Sequence, residues 1–446
     1  MNLIPRLALA ALCLSVAAPA AASLSPAETR MVRTVDAEQT RHLALLEKLV
    51  NQNSGTLNLA GVRTVGEMMR AELEPLGFKV EWLDMSAAKR SGHIVARHPG
   101  PSSRSGQAKG RKLLLIGHLD TVFELDSPFQ RWIRKGEKGE GPGAGDDKGG
   151  MVVMLAALRA MQAAGTLKQA DITVFLTGDE EDSGPVAISR AALIEEGKKA
   201  DAALDFEGLV RDSGPDGIRD MGSVARRSSD EWTLTVTARG GHSSGIFSAG
   251  SGNGAIYETA RIVDTFRREL REPNLTFNVG LIGGGDGATL DAGKVRIAAT
   301  GKTNIIASTA IGRGDLRALS PDQIVRAKAR MQAIVAQSLP GASAAIEFLP
   351  DGYPPMAPTA GNRALFGVLQ AANRDLGLPA MGELDPVKRG AGDISFVAVD
   401  VDALAGLGPH STGDHAPGEA VDIASLWTQA KRAAILMSRL SAQQRR

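Results

Sequence analysis

The chain has 446 residues, 43% hydrophobic and 23% charged, an ordinary composition for a globular protein of two or three domains with a sizeable core. Its 51 Lys and Arg residues nearly balance its 50 Asp and Glu residues, so no global field exists for a nucleic-acid backbone or an anionic membrane. A single cysteine excludes a disulfide framework and a cysteine-based zinc site, so any metal here must be held by His, Asp and Glu.

The amino terminus has the pattern of a removable signal peptide over residues 1–22. Arg6 precedes an apolar run at 7–18, and the alanines at 20–22 form a small-residue cleavage site. A membrane anchor is the first alternative, but a span needs roughly 20 apolar residues and this run is shorter. Lipidation of Cys13 is the second, although the residue before it is a bulky leucine. We therefore expect cleavage after residue 22 and a secreted or periplasmic protein, a setting that suits a chain without thiols.

The chain then alternates helical and strand-like patterns up to about residue 206. Helical spacing covers 25–76 and ends at Gly77, as a helix C-cap would. The later segments are a strand at 78–83, a strand at 94–97, a Pro/Gly/Ser-rich loop at 99–110, a buried strand at 112–117, a helix at 149–164, a buried strand at 172–177, a helix at 185–196 and a buried strand at 202–206. Continuous apolar strands that alternate with helices predict an α/β fold with a helix-covered, mostly parallel sheet.

Residues 230–342 have a different rhythm, which predicts a smaller α+β unit with antiparallel strands. Its segments are a strand at 232–238, a helix at 253–270, strands near 276–282, 295–299 and 304–317, and a helix at 321–338. The first pattern resumes afterwards and ends in a helix at 423–440. We therefore divide the chain into a larger domain at 23–228 and 343–446, interrupted by an inserted domain at 229–342.

Acidic and histidine residues follow each of the three buried strands. The first strand leads into His118 and Asp120, the second into Glu180 and Glu181, and the third into Glu207. Because the carboxyl ends of parallel strands share one edge of a sheet, these groups converge there. A desolvated carboxylate costs several kcal/mol unless it is paired or bound to a metal, so the convergence implies a cation.

A glycine-rich run at 141–150 lies between the first two strands and contains Asp146 and Asp147. A phosphate cradle is the alternative for this run, but it lacks the Gly-Lys-Ser/Thr ending of a P-loop, and no strand directly precedes it. By itself, His118 would also be compatible with a hydrogen-bonded core histidine. The pattern becomes specific only when the motifs after the three strands and the glycine-rich run are considered in their order along the chain.

In this order the motifs resemble the zinc exopeptidase family that includes aminoacylases, succinyl-diaminopimelate desuccinylases and glutamate carboxypeptidases, and they are most like the glutamate carboxypeptidase group. The resemblance covers nearly the whole chain after the signal peptide. It implies that the larger domain is catalytic and that the inserted domain is a lid that also forms the dimer.

The resemblance also implies a role for each motif residue. His118 is a metal ligand oriented by Asp120, and Asp146 is a bridging ligand followed by a cis peptide bond. Glu180 is the general base and Glu181 is a ligand. The next ligand falls on Glu207, with Asp205 as the alternative. The last is a histidine followed by a proline and acidic residues, which matches His415, whereas His410 does not reproduce the spacing.

The implied mechanism is that of a two-metal hydrolase. One cation would bind His118, Asp146 and Glu207, and the other Asp146, Glu181 and His415. Ligation without sulfur suits Zn²⁺, two per subunit, with Co²⁺ or Mn²⁺ as substitutes. The cations would lower the pKa of a shared water from about 15.7 towards 7, and Glu180 would take its proton and return it to the leaving amine.

The lid is expected to complete the site. By the resemblance, His242 reaches into the partner subunit's site and stabilises the oxyanion, although a turn histidine in a Gly-Ser loop is the alternative. Asn304 and Arg317 match positions that hold the substrate carboxylate or oxyanion, and the loop at Gly390 matches one that presents backbone amides. Arg317 could equally be an ordinary charge at a sheet edge.

Three departures from the family pattern bear on specificity. Ser248 and Ala307 stand where prolines are usual, and 352–355 reads Gly-Tyr-Pro-Pro where the glutamate-specific enzymes have an arginine. These departures leave the metal ligands in place and bear on a preference for glutamate or folate.

The sequence therefore predicts an exported, homodimeric metallo-carboxypeptidase that removes a C-terminal residue from small peptides or N-acyl amino acids. An N-acyl-amino-acid amidohydrolase on the same site is the alternative within this chemistry. A non-catalytic binding protein of the same fold is the alternative from another class, and it predicts missing ligands, whereas all five ligands and the base are present. Nucleic acid is not an expected partner, nor is a membrane once the signal peptide is removed.

Overall fold

The computed structural model describes residues 24–100, 110–215 and 217–444. The predicted signal peptide at 1–22 and most of the loop predicted at 99–110 lie outside these residues.

The helices of the described chain lie in the predicted helical segments except for one at Ala360–Asp375, which was not predicted, and the segment predicted at 25–76 contains three helices. They are α1 (Pro26–Ala37), α2 (Gln39–Val50), α3 (Leu59–Leu73), α4 (Lys148–Ala164), α5 (Val186–Ser189), α6 (Ala191–Gly197), α7 (Gly254–Glu269), α8 (Pro321–Val335), α9 (Ala360–Asp375) and α10 (Ile423–Ala442). The single helix predicted at 185–196 is therefore two short helices. Gly77 has a φ of 92° after the turn that follows α3, a left-handed conformation that glycine adopts without steric cost.

The strands are shorter and more numerous than the sequence indicated. In the first half they are β1 (Lys79–Asp84), β2 (Gly92–His98), β3 (Lys112–His118), β4 (Ile133–Lys135), β5 (Lys138–Glu140), β6 (Asp171–Thr177), β7 (Ala202–Asp205), β8 (Val210–Gly214), β9 (Gly217–Gly222), β10 (Asp230–Ala238) and β11 (Gly241–His242). In the second half they are β12 (Thr276–Phe277), β13 (Leu281–Gly285), β14 (Gly287–Leu290), β15 (Ile297–Thr300), β16 (Ile305–Ile306), β17 (Thr309–Arg317), β18 (Ala342–Phe348), β19 (Gly382–Glu383), β20 (Ala403–Leu404), β21 (Ser411–Thr412) and β22 (Ala420–Asp422).

The central sheet has the order β1-β2-β6-β3-β7-β20. The strands β6, β3, β7 and β20 are parallel to one another, whereas β1 pairs antiparallel with β2, and β2 pairs antiparallel with β6. The prediction of a helix-covered, mostly parallel sheet is confirmed, with an antiparallel edge that makes the sheet mixed.

Strand β3 shows why this sheet is buried on both faces. Leu113 and Leu115 pack into one core with α4 and α10, whereas Leu114 and Ile116 pack into another core with α6. Successive side chains of a strand point to opposite faces, so a continuous apolar run is needed when both faces are covered. Helix α4 is buried along most of its length, which explains its nearly uniform apolar sequence.

The second unit is an antiparallel sheet with its own core. Strand β10 lies between β17 and β18, and β12 and β13 pair with β17. Helices α7 and α8 contribute to the core, in which the ring of Trp232 meets Phe266 edge-on at 5.9 Å between ring centres. The unit therefore has the α+β character that its sequence rhythm predicts.

The antiparallel sheet of this unit extends past residue 342, the predicted carboxyl boundary of the inserted domain. Strand β18 begins at that residue and pairs with β10 along its length, from Ala342 opposite Ala238 to Phe348 opposite Trp232. The unit therefore continues to Phe348. The sequence concealed this strand because it is rich in alanine and serine, residues with little preference for strands, and lies at the edge of its sheet.

Two chain segments join the units and run side by side. Arg226 pairs antiparallel with Met356, and Ser229 pairs with Tyr353. The first segment leads into β10 and the second returns from β18. Within the described ranges, no helix is both long and apolar enough to span a bilayer.

Candidate metal centre

The carboxyl ends of β3, β6 and β7 bring the motif residues to one edge of the central sheet. His118 is the last residue of β3 and lies opposite Thr177, the last residue of β6. Asp205 ends β7 and lies opposite Ile116 of β3. The loops that leave these strands therefore start side by side, as ligand-binding loops of parallel sheets do.

Asp146 lies between two imidazoles. Its Oδ1 is 3.0 Å from Nε2 of His118, and its Oδ2 is 3.1 Å from Nε2 of His415. Burial acts to raise the pKa of Asp146, but hydrogen bonds from both histidines outweigh it and hold this pKa well below its usual value. The carboxylate is therefore ionised and presents one oxygen to each side, which is what a bridging ligand requires.

Glu181 completes this cluster. Its Oε2 lies 3.1 Å from Nε2 of His415. Ligand atoms of His118, Asp146 and Glu181 all lie within 4.8 Å of one another, so a single cation could contact them. Imidazole and carboxylate donors without sulfur fit a borderline divalent cation such as Zn²⁺. The structure therefore brings together four of the five predicted ligands.

Asp120 contacts the loop that follows β6 as well as His118. Its Oδ1 is 3.4 Å from Nδ1 of His118 and accepts the backbone N–H of Glu180 at 3.1 Å. Its Oδ2 accepts the N–H of Glu181 at 3.1 Å and the hydroxyl of Thr56 at 2.6 Å. One buried carboxylate thus fixes the imidazole and two successive peptide groups, so both motifs keep a constant relative position.

Glu419 fixes the loop that carries Asp146. It is buried, and its two oxygens accept backbone N–H groups of Gly145 at 2.8 Å, Asp146 at 3.1 Å and Gly143 at 3.2 Å. Burial raises the pKa of Glu419 to about 7. The sequence predicted that acidic residues follow His415 but assigned no role to Glu419. Glu419 positions the loop through three backbone N–H groups that lie more than 270 positions earlier in the chain, a contact that local sequence does not reveal.

The start of α4 adds two buried charged residues. The peptide bond between Asp146 and Asp147 is cis, the geometry that the resemblance implied. Asp147 accepts the N–H of His118 at 3.2 Å, and burial raises the pKa of Asp147 well above its usual value. Lys148 donates to the carbonyl of Gln52 at 3.0 Å, and burial lowers its pKa to about 7.

Glu207 lies at the rim of the cluster and is held by two guanidinium groups. Its Oε2 contacts Arg226 at 2.7 Å and Arg389 at 3.2 Å. Arg226 also contacts Asp205 at 2.9 Å, and burial raises the pKa of Asp205 to about 7. The positive charges of the two arginines offset the repulsion between Asp205 and Glu207 at the end of β7. Sequence reasoning missed both, since neither belongs to a motif.

A cavity of about 230 Å³ opens at this edge of the sheet, and Glu180 is among its lining residues together with Asp146, Glu207 and His415. Burial raises the pKa of Glu180 well above its usual value, and the nearby charge of Glu207 adds to the rise. A cavity-lining carboxyl group whose pKa is raised by burial is a candidate for acid–base chemistry. A larger cavity of about 490 Å³ lies at the opposite end of the strands, near Lys112 and Asp171.

The remaining histidines of the larger domain contact backbone carbonyls or are buried in a helix. His410 contacts the carbonyl of Leu209 at 3.2 Å, whereas His415 contacts Asp146 at 3.1 Å. His93 and His98 lie in β2 and contact backbone carbonyls. His42 is buried in α2.

The predicted lid residues lie in the second unit and do not reach the cluster. His242 is exposed, and its Nδ1 accepts the N–H of Ser244 at 3.2 Å. Asn304 adjoins it through the pairing of β11 with β16, and Arg317 contacts Asp315 at 2.9 Å. Among the described residues that line the cavity, none of the three is present, whereas Gly390 is. The carbonyl of Gly390 accepts from Arg226 at 2.8 Å, which ties this loop to Glu207.

Comparison with known proteins gives a consistent family. The sequence profile of peptidase family M20/M25/M40 matches residues 114–439. Carboxypeptidase G2 of Pseudomonas sp. (strain RS-16) is 37% identical over 177 residues, which are 38% of this chain and 39% of that protein. Succinyl-diaminopimelate desuccinylase of Leptothrix cholodnii is 29% identical over 215 residues, 45% of this chain and 51% of that protein. The aligned regions thus span about half or less of these relatives.

Solved structures match nearly the whole fold. Aminopeptidase PepT from Bacillus cereus superposes with a TM-score of 0.70 at 17% identity, over 90% of this chain and 98% of that chain. The YXEP protein of Bacillus subtilis, described as a dinuclear metal-binding peptidase, superposes with a TM-score of 0.60 at 15% identity, over 91% and 99% of the two chains. At these identities the likeness concerns the fold.

Metal binding to the cluster is expected to release protons. Hydrogen bonds to Asp146 and Glu181 raise the pKa of His415 to about 11, so this imidazole is protonated at neutral pH when no metal is bound. A metal requires the neutral imidazole, so apparent affinity must rise as pH rises towards 8. Zinc titration by calorimetry, repeated in buffers of different ionisation enthalpy, should show proton release. Affinity that is independent of pH would contradict the arrangement.

Glu419→Gln is expected to weaken metal binding. The amide that replaces one carboxylate oxygen is a donor, so it cannot accept all three N–H groups that position Asp146. Loss of such a supporting contact typically costs about 10- to 100-fold in metal affinity. Zinc competition with a chromophoric chelator would measure it. The control is Glu383→Gln, which changes an exposed carboxylate paired with Arg363, and it should bind zinc like the unaltered protein.

Proposed function

The chain belongs to peptidase family M20/M25/M40, and we propose that it is a metallo-carboxypeptidase that hydrolyses the C-terminal amide bond of small peptides or N-acyl amino acids. The observation that carries the proposal is the position of Asp146 between His118 and His415, with Glu180 in the wall of the same cavity.

The proposed resident metals are two Zn²⁺ ions, for which Co²⁺ or Mn²⁺ could substitute. Asp146, Glu181 and His415 would hold one ion, and His118, Asp146 and Glu207 the other. Both arginine contacts of Glu207 are made to Oε2, so Oε1 is the oxygen that remains for a metal. When bound, such ions supply an acidified water and polarise the substrate carbonyl.

The side chains of the cavity perform the proton transfers. Glu180, with its raised pKa, accepts a proton from the attacking water and delivers it to the leaving amine. Asp120 keeps that carboxylate in register with His118, because it binds the N–H of Glu180 and also contacts the imidazole. The barrier to hydrolysis is lowered when base and substrate are held in this way.

The second unit is proposed to act as a lid and as a dimer interface. His242, Asn304 and Arg317 would hold the oxyanion and the substrate carboxylate after the lid closes or from the partner subunit. None of the three is among the described residues that line the cavity of their own subunit, which supports this division. Large apolar side chains are exposed on the same unit, namely Phe247, Ile256, Ile282 and Val295, and a homodimer would cover such a surface.

A carboxypeptidase is favoured over an amidase because carboxypeptidase G2 matches at higher identity than the desuccinylase does. The same site would serve both reactions. Incubation of the zinc-loaded protein with dipeptides and N-acetyl amino acids separates the two. Hydrolysis of neither class would count against both.

Glu180→Gln is expected to abolish turnover and to leave metal binding intact. General acid–base catalysis contributes about 10²- to 10⁴-fold, so kcat should fall by that factor while zinc content is unchanged. Asp182→Asn changes an exposed carboxylate of the same loop and is the matched control. If Glu180→Gln kept the activity of the Asp182→Asn protein, Glu180 would not be the base.

We also propose that residues 1–22 direct the protein to a secreted or periplasmic location and are then removed. Expression of the full chain in a Gram-negative host should yield a protein outside the cytoplasm whose amino-terminal residue is Ser23. A cytoplasmic protein that retains Met1 would contradict this proposal.

A further inference from the structure

Tyr353 lies in one of the two segments that connect the units. Its backbone N–H donates to Ser229 at 2.9 Å and its carbonyl accepts from Ser229 at 3.0 Å. Ser229 belongs to the other connecting segment and directly precedes β10, the central strand of the second unit. The position of Tyr353 is thereby tied to both connections.

The side chain of Tyr353 reaches the loop that carries the general base. Its hydroxyl donates to the backbone carbonyl of Glu180 at 2.7 Å. The N–H of the same residue donates to Asp120 at 3.1 Å. The backbone of Glu180 is therefore held on both sides, by the loop after β3 on one side and by the connecting segment on the other.

A buried arginine supports this contact. Arg190 is fully buried and donates to the hydroxyl of Tyr353 at 3.1 Å, to the carbonyl of Asp179 at 2.9 Å and to Asp393 at 2.7 Å. The ring of Tyr353 packs on Phe396, with 4.8 Å between ring centres. The side chain of Tyr353 is therefore held against the carbonyl of Glu180 by groups of the larger unit, while its backbone is paired with the segment that leads into β10.

We propose that Tyr353 is a positioning residue that aligns Glu180 and makes this alignment depend on the position of the second unit. The inference rests on the proposed role of Glu180 as the base. A shift of the lid displaces the backbone of Tyr353, and the hydroxyl transmits the shift to the peptide group of Glu180. A misplacement of about 1 Å at a reacting group can cost roughly 100-fold in rate, so a small displacement is sufficient.

Tyr353→Phe removes the hydroxyl and keeps the ring that packs on Phe396. The control is Tyr257→Phe, which removes the other tyrosine hydroxyl of the chain, on the exposed surface of α7. Zinc-loaded full-length proteins are compared for kcat, KM, metal content and melting temperature on the substrate that the unaltered enzyme hydrolyses fastest. Hydrogen exchange is followed in peptides that cover 178–184.

For Tyr353→Phe we expect kcat to fall about 10- to 100-fold. KM should stay within about twofold, because substrate contacts are unchanged. Metal content and melting temperature should match those of the unaltered enzyme, exchange at 178–184 should be faster, and Tyr257→Phe should behave like the unaltered enzyme throughout.

Three results would overturn the inference. The first is an unchanged kcat with unchanged exchange at 178–184. The second is a parallel loss of metal, melting temperature and activity, which would assign Tyr353 a merely structural role. The third is an unaltered enzyme that hydrolyses no peptide or N-acyl amino acid. The third result would contradict the proposed function and, with it, this inference. The first two results would contradict only this inference.

Discussion

The site depends on keeping the Asp146 carboxylate charged in a partly buried position between two imidazoles. A carboxylate that leaves water loses several kcal/mol of solvation unless charge or hydrogen bonds replace it. Here His118 and His415 contact its two oxygens, and Glu419 holds the backbone amides of its loop. The edge of the sheet, the glycine-rich loop and the carboxyl-terminal segment meet at this one group, so each of them constrains the other two.

Other buried carboxylates near the cavity also lose solvation, and two buried arginines compensate for this loss. Arg226 neutralises Asp205 and Glu207 at the end of β7, while Arg190 lies between Asp179 and Asp393. These guanidinium groups are buried and make several contacts each, as planar donors with five N–H groups can. Each of these four acidic groups is thus paired with an arginine that belongs to no sequence motif.

The residues predicted to act in the site are divided between the two units. The larger unit carries the candidate ligands and Glu180 around one edge of the central sheet, whereas His242, Asn304 and Arg317 lie on the other unit. The two connecting segments pair with each other, so displacement of one unit must be accompanied by movement of both segments together. The proposed role of these three residues requires the units, or two subunits, to come together, which would exclude water from the reaction once substrate is bound.

The local patterns of the sequence were sufficient for the fold class and for the motif residues. Continuous apolar runs predicted β3, β6 and β7, because strands covered on both faces have no polar side. The residues directly after those strands fell at one edge, because parallel strands end together. Weak patterns misled the prediction where packing determined the structure, as in β18, whose small residues form a strand only because β10 lies beside it.

What the tertiary structure decided was which distant groups support the motif residues. Glu419, Arg226, Arg389 and Tyr353 contact the site from positions far along the chain, and a single sequence contains no periodicity that pairs them with Asp146, Glu207 or Glu180. The choice of His415 over His410 began as a matter of spacing, and the structure places His415 against Asp146 and Glu181. The sequence by itself determined which chemical groups are available at the sheet edge. The three-dimensional path of the backbone determined their partners, because burial and pairing of charges depend on distances that local sequence does not encode.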